Sequence, residues 1–307
     1  MRVLSRRGFT LIELMIALLL LGIVATGIYR VLVGNQQTYL AQTQRIDLQQ
    51  NIRAVLTILP ADFREIDAAD GDILKMAGTS ITIRARRSLA FICSPPVLGG
   101  GLGGITMTVR QQPFFGSRVP FDTSYEGLWI YYEGNPTTRT DDSWVRADIK
   151  SIQNQNCPGA PISDGAPGYQ ITLSPFLQGG QFNVAGAITN GAPVYSYRQT
   201  TYGLYQSSTD SRWYLGLKDT SNAIQPIIGP LIGSNGLEFR YYDVNGNTVT
   251  DSSRVALIEI RVRAQTQAQV RSASTGLGYQ MDSVVTRVAL RNNARCGPGS
   301  LPFVACN

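Results

Sequence analysis

Residues 1–30 read MRVLSRRGFTLIELMIALLLLGIVATGIYR. A short basic segment with Arg2, Arg6 and Arg7 ends at Gly8. From Phe9 to Ile28 follow 20 residues with a single charge, Glu13. A helix over them spans about 30 Å at 1.5 Å per residue, the thickness of a bilayer's hydrocarbon core. The arginines before it keep that end in the cytoplasm and send the other 279 residues across the membrane. A carboxylate inside such a helix costs on the order of 3 kcal/mol, so Glu13 is a functional candidate by default. The plain alternative is a glutamate that snorkels to the interface.

Three kinds of leader compete for this pattern. A secretory signal peptide wants a small-x-small cleavage site after its apolar run, and Val24-Ala25-Thr26-Gly27 is a poor one. Ser5-Arg6-Arg7-Gly8-Phe9 looks like a twin-arginine consensus, but such signals carry milder apolar regions without an acid. The third is a prepilin leader. Gly8-Phe9-Thr10-Leu11-Ile12-Glu13-Leu14-Met15 resembles the type IV prepilin family nearly residue for residue. The resemblance covers about the first tenth of the chain and its motif is highly specific. It implies that prepilin peptidase cuts between Gly8 and Phe9 and methylates the new amine of Phe9. It also implies that Glu13 pairs with the N-terminus of a neighbouring subunit, which turns an expensive charge into a register-setting contact. A glycine before the scissile bond lets the chain lie close to a protease, and Phe9 keeps the new end in the membrane.

Beyond Ile28 the pattern changes. Ile28, Leu32, Tyr39, Ile46, Ile52, Val55, Leu56 and Leu59 recur at near-helical spacing among polar residues. Pro60 is the first breaker. The spacing predicts one helix over 9–59, transmembrane over 9–28 and amphipathic over 29–59, with Gly22, Gly27 and Gly34 as weak points. Asp62–Ile66 adds a short helical turn that ends at Gly71.

Residues 60–307 read as a β-rich head. Strand patterns fall at Ile81–Arg86, Ile105–Val109, Leu128–Tyr132, Tyr169–Leu173, Val194–Tyr197, Trp213–Leu217 and Leu237–Tyr242. The clearest are Ala256–Ala264, with Ile258, Ile260, Val262 and Ala264 on one face, and Val284–Leu290. These two are expected to pair antiparallel and to pack on the helix. Residues 111–126 and 134–168 read as long loops or insertions within 87–168. The predicted fold is therefore α+β, a long N-terminal helix packed on an antiparallel sheet head.

Composition excludes several chemistries. The chain has no histidine, which removes Ser-His-Asp and Cys-His catalysis and histidine-ligated metals. The charge of +6 leans on the leader; without residues 1–8 it is +3, so no specific nucleic-acid partner is expected. GGGLGG at 99–104 lacks the Lys-Ser/Thr of a phosphate loop. Four cysteines, Cys93, Cys157, Cys296 and Cys306, allow three disulfide pairings in an oxidising compartment. Cys296 with Cys306 would close a small loop and leave Cys93 with Cys157; four reduced thiols are the alternative. Asp243, Asn245, Asn247 and Asp251 offer oxygen ligands for calcium, but Asn245-Gly246 is more readily a hairpin turn. Asp67, Asp70 and Asp72 read as a solvated turn; Arg84, Arg86 and Arg87 could touch DNA, but strand residues facing water explain them equally well and no aromatic residues interleave them.

A finer resemblance rests on Ser196-Tyr197-Arg198, Leu204-Tyr205, Pro230-Leu231-Ile232, Leu237–Asp243, Ala256–Arg263 and Val288–Asn292. In this order they look like the PilW-like minor pilins and the related J-type pseudopilins of type II secretion. The resemblance implies a structural subunit rather than an enzyme, without a cofactor. It implies an anchor in the inner membrane, a periplasmic head and later a place in an extracellular pilus. Its implied partners are other minor and major pilins, prepilin peptidase and the inner-membrane assembly platform. A tip module for adhesion is the remaining reading.

Overall fold

The computed structural model of the protein describes residues 10–98, 105–111, 115–116, 127–133, 137, 143–160, 164–174, 188–219, 223–272 and 276–290. Its first element, α1, is Leu11–Arg64, 54 residues and so about 80 Å long. It passes Gly22, Gly27 and Gly34 unbroken. The Thr26 and Thr38 hydroxyls donate to the carbonyl oxygens of Gly22 and Gly34, so the hydroxyls add no unmet polar group.

The expected stop at Leu59 is overturned, because Pro60 lies inside α1. A proline there forgoes one hydrogen bond to the carbonyl four residues back. Burial of Leu59, Pro60 and Phe63 outweighs that loss. On the same turn the Asp62 carboxylate accepts two hydrogen bonds from Arg87, both 3.2 Å, and one from the Tyr202 hydroxyl at 2.6 Å. The packed stripe is Leu48, Ile52, Val55, Leu59 and Phe63, one face of a helix at 3.6 residues per turn.

After α1 come β1 (Ile73–Met76) and the long β2 (Ser80–Leu98). Then follow β3 (Ile105–Arg110), β4 (Phe115–Gly116), β5 (Gly127–Tyr132), β6 (Ser143–Ala147), β7 (Ile149–Asn154) and β8 (Gly168–Leu173). The chain returns through β9 (Pro193–Gln206), β10 (Trp213–Lys218), β11 (Ile224–Leu231) and β12 (Leu237–Tyr242). It ends its described part with β13 (Leu257–Gln265), β14 (Val270–Ser272), β15 (Gly276–Gly278) and β16 (Met281–Ala289).

Among the described residues all pairings are antiparallel, and the main path runs β12-β13-β11-β10-β9-β2-β3-β8-β7. β16 adds to β13, and β5 joins β9 to β6. The expected β13–β16 pair forms in register from Leu257↔Ala289 to Gln265↔Met281. Ile258, Ile260, Val262 and Ala264 are all fully buried on its inner face, with α1 packed against both strands.

Two cores result. One gathers the α1 stripe with Ile81, Ile83, Tyr202, Phe239, Ile258, Ile260 and their neighbours. The other gathers Ala90, Ile92, Met107, Leu128, Ile130, Ile171 and Val194. β2 and β9 cross both, paired from Ser80↔Gly203 to Phe91↔Pro193. A disulfide, Cys93–Cys157, joins the far part of β2 to the segment after β7.

Three further expectations are corrected, and one strand, β11, was not foreseen. β6 and β7 lie within the stretch read as loop; in β6 Val145 and Ala147 are buried, while Trp144 and Arg146 on the other face are half-buried, Trp144 against Tyr131 and Tyr195. β11 was hidden by Pro226 and Pro230; it tolerates them because its pairing to β13 is the single position Leu231↔Ala264. The Asp67–Asp72 turn is not solvated: Asp72 is fully buried and its Oδ2 accepts the Asp67 amide at 3.0 Å. Arg84, Arg86 and Arg87 do not simply face water. Arg84 donates to the Gly71 carbonyl, Arg86 pairs with Asp72 at 3.7 Å, and Arg87 pairs with Asp62.

Candidate functional site

The near half of α1 has the least protein around it. From Leu11 to Leu32 its leucines, isoleucines and valines stand exposed, and it is the one described helix long and apolar enough to cross a membrane. Water disfavours so much bare apolar surface, which exceeds any ordinary surface patch. Lipid or neighbouring helices must cover it. The far half, from Leu48 onward, is covered by the head. α1 thus joins a helix for a lipid-like environment to a helix that holds a folded domain.

Glu13 stands one turn into the exposed half. Thr10 is the N-cap of α1. Its hydroxyl accepts from the Glu13 amide at 3.3 Å, and its own amide and hydroxyl donate to Glu13 Oε2 at 3.0 Å. This is a reciprocal capping box, which meets two backbone donors that a helix start otherwise leaves unpaired. In the single chain, therefore, the carboxylate closes its own helix. The sequence reading missed Thr10; its signal was the Thr-x-x-Glu spacing before an apolar run. Gly8 and Phe9 lie outside the described residues, as do Cys296 and Cys306.

The other candidate positions are structural in this fold. Cys93 and Cys157 are bonded to each other, as one of the three pairings had it. Asp243 Oδ1 accepts the amides of Asn245 and Asn247 at 2.8 and 2.9 Å. Those amides, Asn247 first, hold its carboxyl below the usual carboxylate range. Asn245-Gly246 turns the chain, with Gly246 at φ +84° and a bridge between Tyr242 and Thr248. Asp251 caps the short turn Ser252–Arg254, accepting the Ser253 amide at 3.0 Å. Among the described residues no group of three His, Cys, Asp or Glu side chains is placed to hold a metal ion.

Sequence reasoning also missed the clamp of Asp62, Arg87 and Tyr202. Burial, then the Asp62 charge, pushes the Tyr202 hydroxyl well above its ordinary value, so it stays protonated and donates. This clamp fixes α1 to β2 and β9, and so fixes how the exposed half leaves the head.

Residues 4–29 match the family model for the prokaryotic N-terminal methylation motif. No curated protein and no solved structure matches the chain. With that motif at the start of a helix whose bare half suits lipid and whose far half carries a β-sheet head, the chain is a type IV prepilin-like protein.

Proposed function

We propose that the chain is a PilW-like minor pilin of a type IV pilus, a structural subunit without catalytic activity. Prepilin peptidase cuts it between Gly8 and Phe9 and methylates Phe9. The subunit waits in the inner membrane with its head in the periplasm. It then enters the filament at or near the tip with other minor and major pilins, taken up from the assembly platform and priming assembly. The observation that carries this reading is Glu13 on the bare half of α1, inside the methylation motif.

The capping box refines the role of Glu13. Its carboxylate exchanges a hydrogen bond within its own chain for the charged amine of a neighbour, so the lone subunit carries no unmet acid. Mass spectrometry of the terminal peptide from membranes tests the processing; a chain starting at methylated Phe9 supports it, and one starting beyond residue 25 sinks it. Glu13→Ala is expected to leave cleavage intact and to reduce surface filaments severely; normal filaments on that variant refute the pairing.

A J-type pseudopilin of type II secretion is the second reading of the same helix. Deletion would then block enzyme export and spare twitching motility.

A further inference from the structure

We propose that the β14–β15 hairpin is a foot that rests on the anionic headgroup surface of the membrane. The inference relies on residues 9–28 being the membrane span. The hairpin is a sheet of its own, apart from the large one. Two hydrogen bonds strap its base to α1: the Ala268 amide donates to Gln44 Oε1 at 3.0 Å, and Arg45 Nε donates to Gln280 Oε1 at 2.7 Å. Further out, Val270, Arg271 and Leu277 line a cleft of about 240 Å³ with Gln37 and Leu40. From residue 268 to the strand 270–271 the neighbours on the helix thus shift from Gln44 back to Gln37 and Leu40. The hairpin therefore points toward the N-terminus of α1.

The helix serves as a ruler. Gln37 lies nine residues beyond Ile28, about 13 Å along the axis. Headgroups extend roughly 5–8 Å beyond the hydrocarbon core. An arginine at the level of Gln37 spans the remaining gap with its flexible stem, and an ordinary tilt of about 20° brings one side of the head lower still.

The chemistry fits that position. Leu277 is 67% exposed, Leu40 60% and Tyr279 42%, which is the apolar and aromatic content of an interfacial surface. Arg271 is exposed beside them, and Arg30 emerges from α1 nearer the bilayer. From Gln265 to Met281 the sequence holds no Asp or Glu, so nothing on the hairpin repels anionic lipid. An isolated two-stranded hairpin is marginal in water; contact with headgroups gives this one a second support.

The test uses the full chain in vesicles of phosphatidylcholine with or without phosphatidylglycerol. A photocrosslinking side chain replaces Leu277, Ile16 in the span, or Lys150 on distant β7, and lipid adducts are measured. Adducts are expected at 277 and 16 and not at 150. The yield at 277 should fall roughly fivefold with Arg271→Gln, the factor that one cation near an anionic surface contributes, and at least as far without phosphatidylglycerol. Adducts at 16 without any at 277 overturn the foot and leave the span standing. No adducts at either position overturn the span and the foot together. A yield at 277 indifferent to lipid charge and to Arg271→Gln overturns recognition of anionic lipid.

Discussion

Asp72 shows how one residue sets a pH response. Its side chain is fully buried, and Oδ1 has no hydrogen-bond partner. Arg86 attracts it from 3.7 Å, but loss of solvent dominates and pushes its carboxyl up to about 6. The same loss raises Asp67 and Asp70 beside it. A folded value above the unfolded one near 3.9 means that the native state binds the proton more tightly. The stabilisation is therefore complete below about pH 4 and is lost as pH rises through 6. Unfolding free energy should fall by about 2 kcal/mol over that window, and Asp72→Asn should flatten the fall; a parallel pH profile for the variant would refute this. Asp62 has a different role, as the acceptor that Arg87 and Tyr202 share. Asp62→Ala is expected to cost about 2–3 kcal/mol in chemical unfolding, because it strands a half-buried arginine and a buried hydroxyl. Neither role was legible in the sequence. A charge pattern says which residues are acidic, not which strand will lie over them.

At the scale of elements, α1 separates two kinds of apolar residue. Leu59→Ala empties a fully buried site and should destabilise the detergent-solubilised chain by about 3 kcal/mol in denaturant unfolding. Leu20→Ala touches only the bare half; it should change head stability by less than about 0.5 kcal/mol. Periodicity made the helix legible, and alternation made β12, β13 and β16 legible, because each buries one face. Length of run made the membrane half legible. The end of α1 was misread because Phe63 and Asp62, not local propensity, carry the helix past Pro60. β6 and β11 escaped because one is short and the other holds two prolines. The motif at Gly8–Glu13 was read directly, whereas the Thr10 cap beside it was passed over.

At the scale of the molecule, the chain between β2 and β9 builds a lobe around its own core. The Cys93–Cys157 bridge closes 64 residues of it. Chain entropy assigns such a loop about 4 kcal/mol. Replacing both cysteines by alanine should weaken amide protection in β3, β7 and β8 and leave β13 and β16 as protected as before. Equal loss across both lobes would mean that the cores unfold as one. Alternation announced β3, β5 and β8 one by one, but not that they would join β7 around a separate core, since β3 meets β8 across a long sequence separation. β2 and β9 give it a mechanical character. They run antiparallel through both cores, paired from Ser80↔Gly203 to Phe91↔Pro193. A pull between α1 and the distal lobe therefore passes along the backbone of β2, which runs as one strand from the first core into the second.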